Sequence, residues 1–428
     1  MRPRNVLIFP AGTEIGLEIY QALKHIKDVV LFGAGQDVSN HARFIYPEYQ
    51  CIPKVDDPSW LDVFVSLCER LAIDYVFPAH DDAIVALGRE AQRIPARILT
   101  SPLRTCEITR SKSSTYRLLG TVIRVPRLYE SADDVKDFPV LVKPDKGQGS
   151  FGVTLASNRE QLLSALATVP NPIICEYLPG EEYTVDCFSD RESGVLFAGA
   201  RIRKRMRNGI SVHSETVSLP EALAMARAIS GVLDLHGAWF FQVRRAKTGE
   251  LALLEVAPRI AGSMATHRVQ GVNFPLLSIL EAERVPLTIR TNAGVVEIDR
   301  ALQTRYKHSI EFSTLYLDLD DTLLVRGQVN IELIELIFMC INAGKRIVLI
   351  TRHAGDLAET LAKHRLTGLF DEIVHLRAGE RKSDYVSDRN AIYVDDSFSE
   401  RTDVAVHCGI PTFDCSMIEL LIRGRRNP

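Results

Sequence analysis

Apolar positions along the first hundred residues fall into two patterns. Short, uniformly apolar runs at 5–9, 29–33 and 75–78 predict strands buried on both faces, since such strands show no polar alternation. Residues 58–71 place their apolar side chains at helical spacing, and a helix is expected to follow the Ala-Gly-Thr-Glu-Ile-Gly bend at 11–16 and run through about Leu23. The order is βαβα, which predicts a small parallel sheet covered by helices. Gly12 and Gly16 in the bend could place phosphate near a helix N-terminus, but they are not a full dinucleotide fingerprint. A tight strand-to-helix turn is the plainer reading.

From about residue 107 the texture changes. Strand-like runs are separated by Gly and Pro turns, basic residues cluster, and a helical stretch at 221–234 interrupts them. Residues 286–310 are polar and weakly periodic, and read as a connector. A clean βαβα pattern resumes from 312, with strands expected at 312–317, 346–350 and 391–394 and helices at 331–342 and 356–364. The expected division is 1–106, 107–300 in two subdomains, a linker at 301–311, and 312–428. No internal repeat or low-complexity tract is visible.

Composition adds little. The chain has 428 residues, 46% hydrophobic and 25% charged, and a formal net charge of −3. Nothing in that balance points to nucleic acid or an anionic membrane as partner. The first residues are too briefly apolar for a secretory segment, and no run approaches the ~18 apolar residues of a membrane span. A cytoplasmic protein is expected. The eight cysteines are scattered with no CxxC pair and read as reduced core residues.

Chemistry enters at two places. At 315–322 an apolar strand ends in Asp318 and Asp320, with Thr322 beyond. Residues two apart on a strand share a face. One carboxylate can attack phosphorus while the other handles a proton, and Mg²⁺ would hold such anions beside a phosphate. Upstream, the strand 138–144 delivers Lys143 beside a loop containing Gly147, Gly149 and Gly152. Glycines let backbone N–H groups approach phosphate oxygens, and a lysine supplies a compact charge. That loop alone is weak evidence, since a solvated hairpin looks similar. Further on, 239–245, a Gly-Glu turn and 251–259 predict two antiparallel strands that bring Gln242 and Glu255 together, a carboxylate and an amide oxygen suited to Mg²⁺. The basic run at 201–207 reads equally as solvated surface or as a site for phosphates or an acid substrate.

These pieces, in this order, resemble the ATP-grasp superfamily over about residues 5–290, on its carbamoyl-phosphate-synthase-like and carboxylate–amine ligase branch. The resemblance implies an α/β protein with a Rossmann-like domain preceding the ATP-grasp domains. It implies that Lys112 and Lys143 hold ATP phosphates, with Gly147 and Gly149 in the phosphate loop. The stretch from Glu176 to Leu178 would line the adenine pocket through its backbone, and Glu182 would take the ribose hydroxyls. Gln242 and Glu255 would hold Mg²⁺, with Mn²⁺ as an alternative, and Arg259 would face the γ-phosphate or an acyl phosphate. One departure stands out: the usual Glu-x-Asn-Pro-Arg is Glu255-Val-Ala-Pro-Arg259 here, and Ala257 has no amide oxygen for a second metal.

Residues 312–428 resemble the haloacid-dehalogenase-like phosphatase superfamily, with all four of its motif positions filled by Asp318 and Asp320, Thr351, Lys382, and Asp395 with Asp396. The resemblance implies Asp318 as nucleophile, Asp320 as general acid and base, and Thr351 and Lys382 as phosphoryl ligands. Asp395 and Asp396 would complete a Mg²⁺ site with Asp318 and the Asp320 carbonyl. The intervals between motifs are too short for a cap domain, so a capless, Rossmannoid unit with an open pocket is expected.

The expected activity is therefore twofold: an ATP-dependent ligase joining a small-molecule carboxylate to an amine, fused to a phosphatase acting on a phosphorylated substrate. The alternatives are an ATP-binding sensor that gates the phosphatase without ligation, and a non-catalytic scaffold. Family resemblance is compatible with a homodimer.

Overall fold

The computed structural model describes residues 2–46, 48–147, 149, 151–207 and 209–426. The chain divides into two compact units, Met1–Leu302 and Gln303–Pro428.

The first unit opens with five strands, β1 (Arg4–Phe9), β2 (Val29–Gly35), β3 (Tyr49–Cys51), β4 (Tyr75–Pro78) and β5 (Arg97–Ile98), in an all-parallel sheet of order β3-β2-β1-β4-β5. Val6, Leu7 and Ile8 of β1 are fully buried, as the uniformly apolar run requires of a central parallel strand. The helix Glu14–Leu23 follows, capped by Thr13, whose Oγ1 accepts from Gly16 N at 3.0 Å. A Cβ on Gly16 would lie 2.4 Å from Ala11 O, so Gly16 belongs to a tight turn. The helices Trp60–Arg70 and Asp81–Arg89 also lie where the apolar spacing and a strand end place them.

A second sheet of four strands, β6 (Leu128–Tyr129), β7 (Val140–Pro144), β8 (Thr154–Ala156) and β9 (Pro172–Glu176), is antiparallel in the order β6-β9-β7-β8. A third, also antiparallel, runs β14-β13-β10-β11-β12-β15. Its strands are β10 (Glu182–Asp190), β11 (Gly194–Arg207), β12 (Ile210–Val217), β13 (Gly237–Arg245), β14 (Leu251–Ala257) and β15 (Glu297–Asp299). β15 arises within the polar stretch read as a connector: Glu297 and Asp299 pair across to Glu215 and His213. The helix expected at 221–234 is shorter, Ala222–Ser230.

The second unit begins with β16 (Tyr306–His308), which pairs in parallel with β24 (Gly424–Arg426). Its core is a five-stranded parallel sheet of order β21-β20-β17-β22-β23, made of β17 (Thr314–Leu317), β20 (Arg346–Thr351), β21 (Glu372–His375), β22 (Ala391–Val394) and β23 (Thr412–Phe413). Between β17 and β20 stand only a short hairpin, β18 (Leu324–Val325) with β19 (Gln328–Val329), and the helix Ile331–Asn342. Between Thr351 and Lys382 lie only the helix Leu357–Lys363 and β21. The described residues thus carry no inserted cap domain at either point.

In each parallel sheet the strand order reverses beside the central strand, between β1 and β4 and between β17 and β22. Crevices at the carboxyl ends of strands at such reversals are where open α/β sheets bind ligands. Both candidate sites below lie there.

Candidate active sites

A cavity of about 970 Å³ opens in the first unit, near the top of the ~300–1,000 Å³ usual for ligand sites. Thr13 and Glu14 line it after β1, and Ala79, His80 and Asp81 after β4. Lys112, Lys143, Gly147, Gly149, Glu182, Gln242, Glu255 and Arg259 all line it as well, so the structure brings together most of the residues singled out in the sequence.

Lys143, near the end of β7, is only 5% exposed, and its Nζ donates to Tyr116 Oη at 2.8 Å. Tyr116 donates in turn to Leu254 O at 2.7 Å, which fixes the phenol beneath the ammonium. Burial opposes the Lys143 charge, yet Tyr116, Cys175 and Glu255 together outweigh it and raise the pKa. The Tyr116 hydroxyl is pushed up to about 12 by burial. Lys112 begins the helix Lys112–Leu119 and donates to Gly147 O at 3.0 Å. Burial lowers its pKa against the pull of Glu255. Asp145 pins the loop to that helix start, accepting from Ser111 Oγ and Ser113 N, each at 2.7 Å. Gln148 and Ser150 of this loop lie outside the described residues.

Gln242 and Glu255 are directly opposite each other on β13 and β14. Burial pushes the Glu255 carboxyl up, with Lys112 opposing. Arg203 donates to Gln242 Oε1 at 3.2 Å and pairs with Glu182. Arg259 forms a fork on Asp81, with Nη2 donating to Oδ2 at 3.1 Å. Burial would raise the Asp81 pKa, but Arg259 outweighs it and holds the carboxyl below its ordinary value. Ala257 lines the cavity too.

The basic run resolves residue by residue. Arg201 and Arg203 line the cavity, while Lys204 pairs with Glu215 and Glu297, and Arg205 with Asp299. Arg201 is buried on Asp186 at 2.9 and 3.1 Å, and His267 Nδ1 lies 2.9 Å from the same carboxylate. Glu176 and Leu178 are not among the residues lining the cavity. The Glu176 carboxylate is held by Arg124 at 2.8 Å, and Leu178 is buried with Ala246 and Ala252. Asp81 and Tyr116 were not singled out as site residues in the sequence, and Arg203 only as part of the basic run at 201–207. Asp81 was signalled by its place after the apolar strand β4, whereas Tyr116 carried no signal of its own.

In the second unit, Asp318 follows β17 and Asp395 and Asp396 follow β22. One carboxylate oxygen from each lies within 4.8 Å of the others, so the three could hold one divalent cation. Lys382 Nζ sits 2.7 Å from Asp318 and 2.6 Å from Asp395. Tyr393 donates to the same Asp395 oxygen. Burial pushes Asp318 up to about 6 despite Lys382, with Asp395 adding to the rise. Thr322 Oγ1 donates to Asp396 at 3.1 Å and accepts from Asp396 N at 2.9 Å. Thr351 Oγ1 is buried and has no hydrogen-bond partner among the described residues. An orphan hydroxyl of this kind costs ~1–3 kcal/mol unless a ligand completes it. Asp320 stands apart from the cluster: both its oxygens lie 3.0 Å from His353 Nδ1, and His353 Nε2 lies 2.8 Å from Thr360 Oγ1.

A family model described as "ATP-grasp in the biosynthetic pathway with Ter operon" matches residues 168–307, which include Glu182, Gln242, Glu255 and Arg259. A biotin carboxylase from Campylobacter jejuni, in complex with β,γ-ATP, superposes with a TM-score of 0.58 at 17% identity over 72% of this chain and 76% of that one. The chain has an ATP-grasp-type fold. Other solved structures are similar in fold. An L-amino acid ligase from Bacillus licheniformis has a TM-score of 0.53 at 21% identity, covering 67% of this chain and 76% of that one. N5-carboxyaminoimidazole synthetase from Staphylococcus aureus, complexed with ADP, has a TM-score of 0.56 at 15% identity, covering 67% and 79%. By sequence, a D-alanine–D-alanine ligase of Fusobacterium nucleatum is 30% identical over 165 residues, 35% of this chain. The chain spans 56% of the length of that curated relative. No helix among the described residues is long and apolar enough to cross a membrane.

Proposed function

We propose that the first unit is an ATP-dependent carboxylate–amine ligase and the second a Mg²⁺-dependent phosphatase of the haloacid-dehalogenase-like kind. The observation that carries the ligase reading is the Gln242–Glu255 cross-strand pair, facing the same cavity as Lys112, Lys143 and Arg259. A carboxylate beside an amide oxygen suits Mg²⁺, and two ammonium groups, Lys143 buried and Lys112 half-buried, suit a polyphosphate. ATP with Mg²⁺ would supply the phosphoryl group that activates a carboxylate as an acyl phosphate. Lys112, Lys143 and the backbone of Gly147 and Gly149 would hold the phosphates and Glu182 the ribose; the stretch from Glu176 to Leu178, outside the cavity lining, is given no part in the site. Arg259, oriented by Asp81, would neutralise charge on the transferring group. An amine attacks the activated carbonyl carbon, the new C–N bond forms as the C–O bond to phosphate breaks, and the amine nitrogen sheds a proton.

In the second unit, Asp318 would attack phosphorus while Asp320 gives a proton to the leaving oxygen. Water would then hydrolyse the aspartyl phosphate, with Asp320 taking its proton. Lys382 and the unpartnered hydroxyl of Thr351 would bind phosphoryl oxygens, and Asp395 and Asp396 would share the cation with Asp318 and the Asp320 carbonyl. The Asp320–His353 pairing means that Asp320 must turn from the imidazole when it reaches a substrate.

ADP and phosphate release measured across a panel of acids and amines tests the ligase reading, with Glu255→Gln expected to abolish ADP release. A second reading is favoured by Ala257, which lacks the amide for a second metal. In it the first unit binds ATP without ligating, and no acid and amine pair would stimulate ADP release.

A further inference from the structure

The arginines lining the large cavity differ in one respect. Arg110 is taken by Asp82 at 2.7 Å, Arg201 by Asp186 at 2.9 Å, and Arg203 by Glu182. Arg244 is held by Gly180 O at 2.9 Å and Arg259 by Asp81. Arg300 also lines the cavity, yet among the described residues its guanidinium has no hydrogen bond or ion pair.

Its position is not that of a loose surface side chain. Arg300 is half-buried, and its backbone N donates to Val212 O at 2.7 Å, so the sheet edge fixes its Cα. The charges of β15, which Arg300 directly follows, are answered by neighbouring strands: Glu297 by Lys204 and His213, and Asp299 by Arg205. An edge strand that merely covered β12 would leave its last cation to a similar fate. Instead, the acid whose charge Arg300 helps to hold, Glu18, already accepts a fork from Arg268 at 2.6 and 3.2 Å. A half-buried guanidinium with its donors free, inside a cavity, is a site for a planar or tetrahedral anion.

Resting on the ligase reading, we propose that Arg300 selects the substrate by binding an anionic group that the ligation does not consume. Arg259 is committed to the activated carboxyl, so the group at Arg300 is a second one, a carboxylate or phosphate carried by the acid or the amine. The ligase would thus prefer a dianionic acid, or an amine that also bears an acid, over singly functional analogues.

The test compares matched substrates differing only in the second anion: propionate with succinate, and ethylamine with β-alanine and phosphoethanolamine. In the wild-type protein, one anion-bearing member should have a KM about 10–100-fold below that of its plain analogue, the size expected of a charge-assisted contact. Arg300→Gln should raise that KM to the analogue's level with a much smaller change in kcat, and Arg300→Lys should restore part of the preference. The carboxylate and phosphate members separate the two anion sources. Equal KM ratios in the wild type and Arg300→Gln, or no preference in the wild type, overturn the proposal. If no pair releases ADP, the ligase reading fails while this one is still decided. Calorimetry with succinate, β-alanine or inorganic phosphate, in the presence of a non-hydrolysable ATP analogue, supports it if one binds at least about tenfold more weakly to Arg300→Gln. Binding of none, or equal binding to both proteins, rejects it.

Discussion

A Cβ built on Gly209 would lie 1.7 Å from the carbonyl oxygen of Gly149. The start of β12 therefore rests on the glycine loop beside Lys143, and only a residue without a side chain allows that approach. Gly209 also has φ +75°, the left-handed region that glycine tolerates. Gly209→Ala should displace the loop and, with strain of ~1–3 kcal/mol, weaken ATP binding about 5–150-fold. Calorimetry with ATP and Mg²⁺ checks this, and unchanged affinity would remove the contact from the nucleotide site.

Lys143→Ala should weaken ATP binding by about one to two decades, since contacts to a charged group are worth ~1.5–3 kcal/mol. Tyr116→Phe keeps the ammonium and loses one neutral acceptor, so a loss of only about tenfold or less is expected. Equal losses in the two variants would show that the phenol, rather than the charge, dominates.

Asp318→Asn should abolish Mg²⁺-dependent hydrolysis of an aryl phosphate while ATP binding persists, because the nucleophilic oxygen is replaced by an amide. Removing divalent cations with a chelator should likewise abolish hydrolysis by the wild-type protein. Near-normal hydrolysis by Asp318→Asn would rule out this residue as nucleophile.

Burial pushes Asp186 up, but Arg201 and His267 outweigh it and hold its folded pKa below the ordinary 3.8. Its stabilising contribution is therefore fully present above the unfolded-state value and is lost as pH falls through the lower, folded one. Asp186→Asn leaves Arg201 buried without its counter-charge and should cost ~3–5 kcal/mol at neutral pH. As pH falls below about 4, its Tm should fall less steeply than that of the wild type, because one acid-linked contribution is already gone. Parallel Tm profiles over that window would show that Asp186 is not the linked group.

A fragment beginning at Gln303 should fold, whereas one beginning at Ser309 should be measurably less stable. The shorter one loses β16 and the bond from Tyr306 Oη to Glu419 at 3.2 Å. Urea midpoints of the two fragments decide this, and equal midpoints would make β16 dispensable.

What the sequence revealed was local. Strands β1, β4, β17 and β22 were legible because burial on both faces leaves an unbroken apolar run. The closeness of Gln242 and Glu255 was legible because a short hairpin joins their strands, but the exact pairing was not: a bulge between Gln242 and Val243 shifts the register by one residue and sets Glu255, rather than Leu254, opposite Gln242. The partners of Arg259 and Lys143 were not, since Asp81 lies 178 residues from Arg259 and Tyr116 lies 27 from Lys143, and no periodicity links them. Arg300 was hidden for a related reason. The strand it follows, β15, is only three residues long, and the pairing of β15 with β12 rests on contacts 80 or more residues away. The run at 201–207 did carry a usable signal. Side chains alternate along a strand, so Arg201 and Arg203 share a face, and that face meets the cavity.

The parallel pairing of Tyr306–His308 with Gly424–Arg426 sets an order of assembly. On the ribosome, the first strand of the second unit emerges more than a hundred residues before its partner. Until then, Tyr306–His308 present unpaired backbone groups, the kind of open edge on which nascent chains associate wrongly. The parallel sheet around β17 can form earlier, once β22 has been made. Closure of this unit is thus a late event in its synthesis, and slowed elongation or a stop just before Gly424 would prolong the vulnerable state.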